Sequence, residues 1–214
     1  MLFPNLVTHH VYDGRFLPPF DTQAYQYILA GNGIFVRAET PFFSAIVPVA
    51  ACSVRGLGPL LPKFRLKVAR IPAKLLGAAL TDARGARRPD GDLNERLYRF
   101  LHHGHRVQLH RPVQQATGVT VMAAGNDDPN TLCELHSHGN MHAFWSMTDD
   151  ADEQGARLYA VIGRLDAASE IRIRVGVYGH WHPVPVTAVF TGGAGFTDLY
   201  HEENESCPSI PLST

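Results

Sequence analysis

Charged side chains are scarce in this sequence, 18% of 214 residues, where about a quarter is usual for globular proteins. The 19 basic and 20 acidic residues nearly cancel. No global field therefore draws the chain toward nucleic acid or an anionic membrane, and nucleic-acid binding would need a local patch. Cysteine is scarcer still. Cys52, Cys133 and Cys207 form no Cys-x-x-Cys pair, which argues against a disulfide framework or a thiolate zinc site and fits a reducing compartment. The longest apolar run, residues 42–54, is interrupted by Ser44, Pro48, Cys52 and Ser53. It reads as buried core rather than a membrane span. Residues 1–10 carry neither the basic region nor the continuous apolar stretch of a secretory signal. The expectation is a soluble cytoplasmic protein with neither a membrane nor a nucleic acid among its partners.

What is present is 45% hydrophobic residue, 19 glycines and 15 prolines, a balance that favours a sheet-rich fold with short connections. Residues 1–62 read as a β-rich N-terminal extension, in which Tyr25 to Leu29 and Ile34 to Ala38 flank Gly31-Asn32-Gly33 as a hairpin. Ile71, Leu75, Ala79 and Leu80 recur at near-helical spacing and predict a helix from Pro72, with a loop from Thr81 to Gly91. Short strands are expected at 97–101, 106–110, 119–123 and 131–138. A second helix opens near Ser146 or Thr148, where Ser and Thr can cap the first turn and Asp152 and Glu153 suit its dipole. Residues 157–165 read as a buried strand. Ile171, Ile173, Val175 and Val177 alternate with Arg172 and Arg174 as a half-buried one. Residues 184–190 form the last element, and the acidic, proline-containing stretch 201–214 reads as a flexible tail. The expected fold is α+β, a mixed, curved sheet flanked by helices over residues 63–200.

The distinctive number is 12 histidines. They form three His-x-His pairs, His103/His105, His136/His138 and His180/His182. Chance supplies roughly 0.7 such pairs at this composition, so a pair alone is weak evidence for a metal. The first and third have no acidic partner at a recognisable spacing and read as surface or packing histidines. His136/His138 ends a strand, so both imidazoles share a face and can converge on one ion at about 2.0–2.1 Å. Asp149, on the following helix, supplies a third ligand, and two His plus one Asp leave zinc a fourth position for water. A deaminase would need His-x-Glu with Pro-Cys-x-x-Cys, which is missing here. A cupin-type site lacks its later Glu and His.

Glu95, His136-Ser137-His138, Ser146 and Asp149 together resemble the JAMM motif of the JAB/MPN metalloprotease family. That family includes zinc deubiquitinating isopeptidases and prokaryotic relatives. Glu134 to Glu153 is also similar to the JAB-like proteins of the bacterial PRTRC gene system. The resemblance covers roughly residues 65–190, with only 134–153 specific. It implies a JAB/MPN-like, cytidine-deaminase-like domain and Zn2+ as cofactor, bound by His136, His138 and Asp149. Glu95 is then the general base, with Glu134 as its rival or as an orienting partner of an imidazole, and Ser146 is the donor to the oxyanion. The implied partner is a ubiquitin-like or sulfur-carrier-like protein substrate, with an activating-enzyme-like neighbour. The alternative is a non-catalytic binding module in a plasmid-associated complex. Where many relatives carry proline after the second histidine, this chain has Gly139, which implies a more flexible loop. His142 in that loop is a candidate extra ligand, and Phe144 and Trp145 are candidate groove residues. Cys133 is expected to be buried and inert.

Overall fold

The computed structural model describes residues 6–125 and 128–200; the expected tail, 201–214, lies outside them. In chain order the elements are β1 (Val7–Val11), β2 (Tyr25–Ala30), β3 (Gly33–Glu39), β4 (Phe43–Ala51), β5 (Lys63–Leu66), α1 (Ala73–Arg84), β6 (Leu97–His103), β7 (Arg106–His110) and β8 (Gln114–Ala116). They continue with β9 (Val121–Ala123), β10 (Thr131–Ser137), α2 (Met147–Asp152), β11 (Ala156–Gly163), β12 (Glu170–Val177), β13 (Trp181–Pro183), α3 (Val186–Val189) and β14 (Thr197–Asp198). Strands dominate, so the α+β expectation holds with less helix than foreseen. Among the described residues no helix is long and apolar enough to cross a membrane.

The N-terminal sheet runs β1-β2-β3-β4-β5. The expected hairpin is β2–β3. Residues 42–54 supply β4, but only Phe43, Ala45 and Val47 of that run are buried, while Pro48 and residues 50–53 are exposed. β5 pairs with β4 from Lys63 to Leu66, so this unit extends past the boundary expected at residue 62. The central sheet runs β13-β12-β11-β10-β6-β7, with β14 on β12. It is mixed: β10 lies parallel to β11 and antiparallel to β6. The two sheets share one core. Val36, Ala38, Phe43, Ala45 and Val47 of the first are buried in the same cluster as Leu135, Leu158, Ile162, Ile173 and Val175 of the second.

Two local expectations are corrected. α1 continues through Arg84 rather than ending at Thr81, because the Thr81 hydroxyl bonds back to the Gly77 carbonyl at 3.0 Å and Ala83 is buried in the core. Its first turn is capped from a distance by Thr191, whose hydroxyl accepts from the Ala73 N–H at 2.9 Å. β12 is covered on both faces instead of being half-buried. Its arginines find partners inside the fold: Arg172 donates to the Ala143 carbonyl, and Arg174 meets Glu153.

Phe43 is almost completely buried between the sheets. Phe43→Ala is expected to cost about 3–5 kcal/mol in urea unfolding and to leave a single cooperative transition. Two separated transitions would contradict a shared core.

Candidate metal centre

The centre of the site is the C-terminal end of β10. Its in-register neighbours are Leu97 of β6, opposite His136 by antiparallel pairing, and Val161 of β11, beside His136 by parallel pairing. His138 follows the strand but still donates its N–H to the Ile162 carbonyl at 2.8 Å. Period-two geometry therefore directs both rings to one side of a strand paired on both edges. Their Nε2 atoms are 3.0 Å apart.

Asp149 reaches the same point from α2. The Ser146 hydroxyl accepts from the Asp149 N–H at 3.2 Å, and the Asp149 carboxylate accepts from the Ser146 N–H at 2.7 Å. This reciprocal capping box fixes the carboxylate's rotamer. Asp149 Oδ1 then lies 3.2 Å from His136 Nε2, and Oδ2 lies 3.9 Å from His138 Nε2. Among the described residues this is the one group of three metal-type donors within 4.8 Å of one another. Tetrahedral zinc with bonds of about 2.05 Å places its ligand atoms about 3.3 Å apart, so the donor set fits such an ion. Burial, the largest influence, pushes both imidazoles below their ordinary value despite the opposing charge of Asp149. Neutral rings are the form that ligates.

Glu95 sits two residues before β6, close enough to this centre for the charge of Asp149 to act on its carboxyl. It is 4% exposed, and burial, reinforced by the charge of Asp149, raises its carboxyl to about 7. Two bonds hold its backbone: Glu95 N–H donates to Thr117 at 2.7 Å, and the next residue, Arg96, donates to the Ser137 hydroxyl at 2.9 Å. Ser137, between the two histidines, is thus a positioning residue that sequence reasoning passed over. Glu134 is committed elsewhere, to Arg99 at 3.0 Å and Arg157 at 3.7 Å. Cys133 is fully buried, and burial raises its thiol.

The loop after His138 differs from expectation. Gly139 has φ +56°, a left-handed backbone that a proline ring, fixed near −65°, excludes. The loop is stitched down by Leu165 N–H on Gly139, Arg164 N–H on Met141 and the Asn140 amide on Asp166. It lies so close to β11 that a Cβ at Gly163 would come within 2.4 Å of the Ala143 nitrogen. His142 turns to Glu170 at 3.1 Å rather than to the centre. Phe144 packs edge-on to His138 with ring centres 4.5 Å apart, and it is exposed along with Met141 and, almost fully, Met147. A cleft of about 290 Å³ opens beside His138, lined by Arg88, Leu93, Gly118, Asn140 and Met141. A larger cavity of about 620 Å³ is lined only by residues 12–65 and none of the site residues.

α2 opens after Ser146, as expected, but it is only six residues long, so Asp152 and Glu153 fall at its C-terminal end instead of favouring its N-terminal dipole. Its first turn holds Asp149 and Asp150, while Glu153 is its C-cap, at the negative end. The unfavourable placement is offset by Arg174, whose Nε donates to Glu153 at 2.6 Å.

The Glu95 shift has a definite sign. The folded state binds the proton more tightly than the unfolded chain, so this contribution to stability is complete below pH 4.5 and is lost as pH rises through about 7. Glu95→Gln imitates the protonated form. In chelator-treated protein its stability relative to wild type is expected to rise by on the order of 3 kcal/mol between pH 4 and pH 8; a difference independent of pH would contradict the burial assigned to this carboxyl.

No curated protein matches the chain. Residues 80–175, the segment that holds Glu95, His136, His138, Ser146 and Asp149, match the family model of prokaryotic homologs of the JAB domain.

Proposed function

We propose that the chain is a zinc-dependent metallopeptidase of the JAB type, similar over 134–153 to the JAB-like proteins of the PRTRC system, and that it acts on the C-terminal tail or a conjugate of a ubiquitin-like or sulfur-carrier-like protein. The observation that carries this reading is the convergence of two neutral imidazoles and one carboxylate beside a second, buried carboxyl. His136, His138 and Asp149 would hold the zinc, which when bound supplies Lewis-acid polarisation of the scissile carbonyl and a water acidic enough to ionise near neutrality.

The remaining chemistry belongs to the chain. Glu95 takes a proton from the attacking water and returns it to the leaving nitrogen; burial and Asp149 raise its carboxyl to about 7 in the metal-free protein, and the charge of a bound metal would lower it toward the ionised form a base needs. The Ser146 oxygen is occupied as an acceptor by the Asp149 N–H. Its hydroxyl hydrogen serves as donor to the oxyanion of the tetrahedral intermediate. Phe144, Met141 and Met147 give an extended substrate an apolar rim against which to lie.

A fusion of a ubiquitin-like protein to a C-terminal extension is the test substrate. With zinc supplied, Glu95→Gln is expected to lower cleavage by about 10²–10⁴-fold while retaining the metal; undiminished cleavage would refute the base assignment. Capture of the fusion by wild type and His138→Ala alike, with cleavage by neither, would replace the peptidase with a non-catalytic JAB-fold binding module in a plasmid-associated complex. Ser146→Ala is expected to cost about 1 kcal/mol of stability through the lost cap and about 10²–10³-fold in rate. Ser146→Asp should restore the cap and not the rate.

A further inference from the structure

Arg174 is a cation inside the protein, 7% exposed at its side chain. Its guanidinium lies 3.9 Å from the ring centre of Trp145 and 4.6 Å from that of Trp181, the only two tryptophans in the chain. Its edge meets two carboxylates of the α2 region, Glu153 at 2.6 Å and Asp150 at 2.8 Å. Three elements meet on this one side chain: β12, which carries it, β13, which carries Trp181, and α2, reached at Asp150 and Glu153 and through Trp145 just before its cap. No residue of α2 itself is buried. Six residues are also too few to hold a helix by backbone hydrogen bonding alone. The apolar packing that usually anchors a helix is therefore absent here, and an ionic and stacking clamp stands in its place. Asp149 lies between the cap that Trp145 adjoins and the two clamped acids.

We infer that Arg174 is the positioning residue that holds α2 against the sheet and thereby sets Asp149 against His136 and His138. The inference rests on the metal reading of the site for its functional consequence. Its structural part, the clamp, stands on the contacts alone. A planar guanidinium can stack between two indoles while presenting a fork of N–H donors at its edge. A lysine ammonium keeps the charge but neither property.

The test uses the full chain, with Arg174→Met and Arg174→Lys compared against wild type and His138→Ala. In metal-free protein, amide hydrogen exchange across 147–153 is expected to accelerate at least about tenfold in Arg174→Met, while β10 and β11 keep their protection. Cobalt(II) titrations followed by visible absorption are expected to show affinity weakened roughly 10–100-fold, with Arg174→Lys folding normally but recovering little of that affinity. Wild-type tryptophan emission, which comes only from the two clamping indoles, should shift in both variants. Unchanged exchange across 147–153 in Arg174→Met, or a cobalt affinity equal to wild type, would overturn the inference. Should Arg174→Met not fold, Asp150→Asn breaks the same clamp at a half-exposed partner and is expected to accelerate exchange in the same segment; no acceleration there overturns the clamp equally. If wild type binds cobalt no better than His138→Ala, the metal reading has failed, and the exchange measurement decides the clamp independently.

Discussion

Two uncharged imidazoles approach to 3.0 Å beside a carboxylate, and the surrounding structure is arranged to make that approach possible. A ring pair this close needs a backbone that cannot shift, and β10 meets the requirement by being paired along both edges. The antiparallel neighbour, β6, brings Glu95 in just ahead of its first residue. The parallel neighbour, β11, carries Gly163, whose missing Cβ admits the loop that follows His138. Strand register, loop path and the placement of the second carboxyl all follow from the position of one strand.

The electrostatics follow the same centre. Desolvation keeps both rings neutral, so Asp149 is not neutralised by a nearby imidazolium, and its charge helps hold the proton on Glu95. Arg174 pairs with Asp150 and Glu153, and its own charge adds to the burial that keeps His136 neutral. The three converging donors therefore present a concentrated acceptor site toward which a divalent cation is drawn. Such a cation would also draw the Glu95 proton off. Metal binding and ionisation of Glu95 would thus be linked by charge.

Much of this was legible where local chemistry carries the signal. His136, His138 and Asp149 were readable because strand period and helix capping are short-range rules, and the Ser146 cap formed as those rules require. The hairpin at Gly31-Asn32 and the strands expected at 97–101, 106–110 and 131–138, which form as 97–103, 106–110 and 131–137, were visible for the same reason. What escaped notice depends on distant partners. β1 and β5 are edge strands of five and four residues whose existence rests on pairing with the interior of the N-terminal sheet. Arg174 looked like the polar half of an alternating strand, because nothing local announces that two tryptophans and two acids arrive from elsewhere to bury it. Ser137 resembled a spacer between ligands until its bond to Arg96 tied the histidine strand to the Glu95 segment. Gly139 suggested looseness, whereas the stitches to residues 164–166 make that loop ordered by tertiary bonds.

The most direct measurement is zinc per chain by elemental analysis of untagged protein, wild type beside His138→Ala. About one zinc in wild type, lost in the variant, is the expected result and would establish the converging donors as a metal centre. No zinc in wild type after reconstitution at neutral pH, where both imidazoles are neutral, would contradict the metal centre and with it the peptidase chemistry built on it.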